Sequence, residues 1–303
     1  MRTMKYQPDA SQCLFCGNQS YTPLFSVQGY TLDKCLRCGL VQTHPLPIAH
    51  QIDDLYDTAY FEKLTHRKAE EAYYHAKLLR LIAHHKTTGK MLEVGIGAGI
   101  FMELAHTQGW EIEGVEPSKA ACNYVAQTLH LPTHHGTVEA MPFPAKHFEV
   151  IVLRHVLEHI LDPCTFLQEL HRILRDDGIM CLVVPNFGGL HARVEKGQWF
   201  HLSLPYHVAH YTKKTLAALL TSCDLQIETL QTTDLSCSSY LIGLFNRGLA
   251  VLKRPPRDMY MNPREIDPHR DLAHWLVSKE TWFNELTAWL GFGEEITVIA
   301  QKR

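Results

Sequence analysis

Four cysteines carry the first recognisable chemistry of the chain. Cys13 and Cys16 form one C-x-x-C, Cys35 and Cys38 form another, and eighteen residues separate the pairs. Two thiolates three residues apart grip one side of a tetrahedral ion when a tight turn joins them, and Gly17 and Gly39 stand where such turns need glycine. The spacing is that of a zinc ribbon, and the stretch SYTPLFSVQGYTLDKC between the pairs alternates around Gly29 as a small hairpin does. Four thiolates fill the coordination sphere, so this metal is expected to hold the fold and leave the reaction to residues downstream.

The second set is rich in glycine. Glu93-Val94-Gly95-Ile96-Gly97-Ala98-Gly99 begins in the apolar run MLEV and leads into the amphipathic stretch IFMELAHTQG, which reads as strand, turn and helix. Gly95 and Gly97 let the backbone bend sharply and approach a ligand, and Glu116 ends the next strand, EIEGVE, about twenty residues on, where an acid accepts ribose hydroxyl hydrogen bonds. A dinucleotide fingerprint reads G-x-G-x-x-G. Here an acid precedes the first glycine; it would repel a pyrophosphate but can fix the ammonium of an amino acid, which favours S-adenosylmethionine as cofactor.

The elements that must position these groups follow from composition and pattern. The chain has 303 residues, 46% hydrophobic and 20% charged, which supports a large core and excludes disordered and disulfide-miniprotein classes. A net charge of -3 lacks the basic excess of a general nucleic-acid binder. The best apolar run, Leu241 to Leu252, is broken by Asn246 and Arg247, and MRTMKYQPDA has no signal-peptide core. Nine cysteines, four of them in tight pairs, point to a reducing, cytoplasmic compartment. Residues 1–48 are expected to form the zinc ribbon. Residues 49–89 form a linker and helix ending near His84 and His85, and 90–303 an α/β domain with a helical insertion over 235–290. In that insertion Trp275, Trp282 and Trp289 share one stripe, read as core packing, a dimer interface or an acceptor lid.

From about Lys90 onward the chain resembles the class I S-adenosylmethionine-dependent methyltransferases, through LEVGIGAG, GVEPS, GTVEAMPFPAKHFEVIVLRHVLEHILDP and RILRDDGIMCLVVPN. The resemblance implies a Rossmann-like sheet of seven strands, six parallel and the last antiparallel, with Leu225 to Thr232 and Glu295 to Ala300 as the last two. It also implies that Gly95, Gly97 and Gly99 wrap the cofactor and that Glu116 binds its ribose. Thr137 and Val138 occupy the adenine-side loop, and Arg154 and His155 lie beside the methionine moiety. Thr137 stands where relatives often carry an aspartate, with Glu139 as the neighbouring acid, and Asp177 replaces a common proline in what reads as a turn. The whole chain, ribbon included, looks like bacterial methyltransferases that end in an acidic-then-apolar strand, here EEITVIAQK.

His155-Val156-Leu157-Glu158-His159 also matches H-x-x-E-H, the signature of inverted zinc metallopeptidases. That chemistry needs both histidines on one helix. The strand FEVIVLR just before and Asp162-Pro163 just after leave only a loop, so the methyltransferase reading is preferred. His155 and His159 are then either an acid or base facing the substrate, or hydrogen-bonded scaffolding.

After VVPN comes the long connection FGGLHARVEKGQWFHLSLPYHVAHYT, expected to border the methyl donor and to supply aromatic and histidine side chains for an acceptor. His207 matches the catalytic histidine of resembling deoxysugar carbon-methyltransferases, although Tyr206 stands where they have a glutamate. His207 is therefore the first choice of general base and His159 the second. The expected acceptor is a small molecule, with a nucleotide-linked sugar as the resembling class. The alternative is an RNA methyltransferase using the ribbon for RNA contact; residues 1–50 carry Arg2, Lys5, Lys34 and Arg37 against Asp9 and Asp33, a net of only +2.

Overall fold

The computed structural model describes residues 11–47, 68–233 and 285–303. The linker 49–67, most of the expected insertion and Trp275 and Trp282 lie outside the described residues; Trp289, at its end, is exposed.

The amino-terminal unit is a hairpin of β1 (Tyr21–Val27) and β2 (Tyr30–Cys35), joined by Gln28 and Gly29, both with positive φ, as a right-twisted hairpin turn requires. β3 (Val41–His44) adds antiparallel to β2. A helix, α1 (Lys68–Ala83), follows and buries Leu78, Leu79 and Ile82 in the same cluster as Phe101, Met102 and Ala105 of a later helix. Its end, just before His84, agrees with the sequence reading.

The remainder alternates strand and helix. The order is β4 (Lys90–Val94), α2 (Ile100–Thr107), β5 (Glu111–Glu116), α3 (Lys119–Tyr124), β6 (Thr133–His135), β7 (Phe148–Arg154), α4 (Pro163–Ile173) and β8 (Leu174–Pro185). Then come α5 (Leu190–Glu195), β9 (Ala209–His210), α6 (Lys213–Ser222), β10 (Leu225–Thr233) and β11 (Glu295–Lys302). Seven of these strands form one sheet in the order β10-β11-β8-β7-β4-β5-β6. Only β11 runs antiparallel to its neighbours, so the doubly wound sheet with an antiparallel last strand is present.

Local chemistry explains why these segments take these forms. The run from Gly178 to Pro185 in β8 is fully buried, as suits a strand covered on both faces in a parallel sheet. Asp162 caps α4 by accepting from the Thr165 amide, and Pro163 sits at the first helical position, where its missing N–H costs nothing. α4 then buries Phe166, Leu167, Leu170 and Ile173, each contributing about 1.5–3 kcal/mol. Thr212 and Thr215 form a capping box on α6. One local expectation is corrected: Asp177 lies within β8, exposed and paired with Lys86, instead of in a turn. The pairing of β8 with β7 passes from Leu174 opposite Phe148 to Ile179 opposite Val150, so the acidic stretch falls at a register shift within the strand.

β9 does not join the large sheet. It pairs antiparallel with β3, Val41 opposite His210 and Gln42 opposite Ala209, as the fourth strand of the amino-terminal sheet. Thr43 adds to the join: its amide donates to the Val208 carbonyl at 3.1 Å and its hydroxyl to the His207 carbonyl at 2.8 Å. Trp199 and Leu202 of the long connection pack with Leu32 and Val41 in a small core of their own. The amino-terminal sheet and the long connection therefore share one hydrogen-bonded surface.

Candidate active site

Four neighbouring strands of the large sheet place the expected cofactor residues at their carboxyl ends. Glu93 and Gly95 stand at the end of β4, Glu116 ends β5, Thr137 and Val138 follow β6, and Arg154 ends β7, with His155 next. This is where ligands sit in open α/β sheets. Gly95 has φ +78, and a Cβ there would come within 2.5 Å of Val156 Cγ2, so only glycine lets the turn pass so close to the segment after β7. Gly97 and Gly99 also have positive φ. Glu116 braces the turn by accepting from the Gly97 amide at 3.3 Å and the Ser118 amide at 2.9 Å.

Glu93 is buried, and its Oε2 has no hydrogen-bond partner among the described residues. Burial pushes its carboxyl well above the usual range, partly opposed by nearby Arg154. A buried carboxylate oxygen left without a partner is costly unless something cationic or a donor completes it. Arg154 itself is met by His75 of α1, a contact that sequence reasoning missed. His75 Nε2 accepts from the guanidinium, and burial together with Arg154 holds the imidazole down at about 4, hence neutral. No motif marks His75; its helix reads only as an amphipathic cover.

Beyond Arg154 the chain turns through His155, whose φ of 51 is left-handed, a conformation rare for a residue with a side chain and concentrated at functional sites. The turn points its ring between two buried acids: Nδ1 lies 3.2 Å from Glu158 Oε1 and Nε2 lies 3.0 Å from Glu295 Oε1. Burial alone would lower this imidazole, but the two carboxylates outweigh it and hold it up at about 10. Burial likewise favours neutral Glu158, yet His155 overrides it and holds the acid at about 2. His155 and Glu158 therefore form an imidazolium–carboxylate pair. His201 stacks flat on His155, with centroids 5.6 Å apart; β11 begins with Glu295, and Glu294, the residue before the strand, faces His191 at 3.1 Å. His201 belongs to the long connection expected to supply the acceptor side; Glu294, Glu295 and His191 were not expected at the site. The signal was the acid pair heading an otherwise buried apolar strand.

Leu157–His159 is a single 3-10 turn, not the helix a metallopeptidase needs. It brings His159 against the long connection, where Nδ1 donates to the Tyr206 carbonyl at 3.0 Å and the Val208 amide donates to the Glu158 carbonyl at 2.9 Å. His207 lies edge-on to His159, centroids 4.7 Å apart, its Nδ1 donating to the His201 carbonyl at 2.7 Å and its Nε2 3.9 Å from Glu158 Oε1. Burial and neighbouring His159 hold His207 well below its ordinary pKa, and burial lowers His159 as well. Both are neutral near physiological pH.

The four cysteines gather beside the start of β3, where the Cys35 amide donates to the Leu40 carbonyl. Cys13 Sγ is 3.5 Å from Cys38 Sγ and Cys16 Sγ is 3.6 Å from Cys35 Sγ, and all four lie within 4.8 Å of one another. Thiolates on a tetrahedral zinc stand about 3.8 Å apart, so the set fits that ion. The Gly17 and Gly39 amides donate back to the Cys13 and Cys35 carbonyls, closing the turns around each pair.

A methyltransferase-domain family model matches residues 65–230, and the chain belongs to that family. It is similar to a probable S-adenosylmethionine-dependent methyltransferase of Mycolicibacterium smegmatis, 26% identical over 164 residues, which cover 53% of this chain and 62% of that one. A ubiquinone biosynthesis O-methyltransferase of Rhodopseudomonas palustris is 31% identical over 102 residues, 32% of this chain and 40% of the relative. The chain thus spans less than two thirds of the length of these curated relatives. In fold it is similar to the 1,6-didemethyltoxoflavin-N1-methyltransferase of Burkholderia thailandensis, solved with S-adenosylhomocysteine, at a TM-score of 0.52 and 14% identity over 92% of this chain and 98% of that one. Among the described residues no helix is long and apolar enough to cross a membrane.

Proposed function

We propose that this chain transfers the methyl group of S-adenosylmethionine to a small-molecule acceptor held between the turn His155–His159 and the segment Tyr206–His210. One observation supports it most. The turn after β7 touches the glycine loop on one side, through Val156 on Gly95, and the long connection on the other, through Glu158 with Val208 and His159 with Tyr206. A donor on the first side and an acceptor on the second would meet at this turn.

In this reading the unpartnered Oε2 of Glu93 takes the ammonium of the cofactor, and Glu116 takes its ribose. Gly95, Gly97 and Gly99 let the backbone close around it, Thr137 and Val138 flank the adenine, and Arg154 and His155 flank the methionine end. A sulfonium methyl is already activated, so the chain must mainly align the acceptor and see its proton removed. His207 and His159 are the neutral groups at hand, with His207 first because it lies on the long connection. The four cysteines hold zinc that stiffens the amino-terminal sheet, domain 1–48 in the sequence reading, and through β3 the loop bearing His207.

The test is a screen of metabolite pools with methyl-labelled cofactor, nucleotide-linked sugars first. Label should pass to a small molecule, and His207→Asn should slow transfer about 100-fold while S-adenosylhomocysteine binding stays within a few-fold. Label passing only to RNA, with binding that weakens steeply as salt rises, would replace the acceptor assignment with the nucleic-acid alternative.

A further inference from the structure

The turn after β7 and the long connection bring one buried carboxyl and two imidazoles together, His159 edge-on to His207 and His207 Nε2 3.9 Å from Glu158 Oε1. We propose that Glu158, His159 and His207 form a second metal site, distinct from the four cysteines, which takes a divalent transition ion such as zinc and keeps coordination positions open for an acceptor hydroxyl.

Three observations carry this. One ligand atom from each residue lies within 4.8 Å of the others. A tetrahedral ion with bonds near 2.1 Å needs its ligands about 3.4 Å apart, so side-chain rotations that draw them in by about 1 Å suffice. Glu158 is 1% exposed, and its Oε2 has no hydrogen-bond partner among the described residues while Oε1 faces His155. Finally, both imidazoles donate Nδ1–H to backbone carbonyls, Tyr206 and His201, which fixes the tautomer that coordinates through Nε2. Carbonyl-anchored histidines and a second-layer partner on the acid are the usual support of a metal centre. His155, bonded to both Glu158 and Glu295, is that partner here.

Two histidines and one glutamate leave at least one position open, as catalytic zinc sites do. The proposal rests on the methyltransferase reading for its role. With Nε2 of both histidines on the ion and Nδ1–H on carbonyls, neither histidine acts as the base in the metal-loaded chain; the ion takes over that role, because an acceptor hydroxyl bound to it would release its proton to solvent more readily. Its oxygen would then bond to the methyl carbon as the carbon–sulfur bond breaks, and the electron pair would remain on sulfur.

The experiment is elemental analysis of the full chain purified without chelator and dialysed with zinc, alongside titration with S-adenosylhomocysteine. The wild type should hold two equivalents of zinc, and E158Q, H159N and H207N one each. Cys35→Ser should lose the other equivalent. His159→Asn reads the site even if the more buried His207 variant fails to fold. A single equivalent in the wild type, or a second that survives both E158Q and H159N, overturns the site. Two equivalents with the expected losses but no binding of S-adenosylhomocysteine would keep the metal site and sink the methyltransferase reading instead.

Discussion

At the scale of single residues, Glu93 is the most exposed claim. Its carboxyl is buried and its pKa raised, so the free protein keeps a proton on it to higher pH than an ordinary glutamate would. An ammonium placed beside it favours the ionised form, and binding must then expel that proton wherever it is still held. Cofactor affinity is therefore expected to rise with pH up to the raised pKa and to level off above it. Glu93→Gln should weaken S-adenosylhomocysteine binding about 10-fold at neutral pH and flatten this rise, since the amide does not titrate. Calorimetry across a pH series measures both, and an unchanged profile in the variant would remove Glu93 from the cofactor set. The glycines and Glu93 were legible as a string because their chemistry is local in sequence. The partners of His155 were not, because Glu158 and Glu295 converge on it from a turn and a strand 137 residues apart, which no spacing rule encodes.

At the scale of elements, the join between β3 and β9 decides how the ribbon matters. Strand and helix order in the large sheet could be read from periodicity, since buried runs such as GIMCLVVP and capped helices such as the one starting at Pro163 declare themselves locally. β9 is two residues long and gave no such signal; it exists because β3 offers it an edge. The consequence can be measured. Cys35→Ser should lower the melting temperature and speed amide exchange at Val208 and His210 together with that at Thr43, while exchange within β4 and β7 stays slow. Thr43→Val should act more mildly, removing the hydroxyl bonds to the His207 carbonyl and His210 for about 1–2 kcal/mol. Loss of protection at Thr43 alone, with Val208 and His210 unaffected, would contradict the coupling.

At the scale of the whole molecule, the large sheet supplies the edge where β4, β5, β6 and β7 end, and the amino-terminal sheet holds the histidine-bearing connection across that edge. The central claim is that this edge binds S-adenosylmethionine and not a dinucleotide. Calorimetric titration of the full chain with S-adenosylhomocysteine tests it most directly. Saturable binding of one molecule per chain is expected, weakened about 10-fold or more in Glu116→Ala, with no heat from NAD. Saturable binding of NAD with none of S-adenosylhomocysteine or S-adenosylmethionine would contradict it.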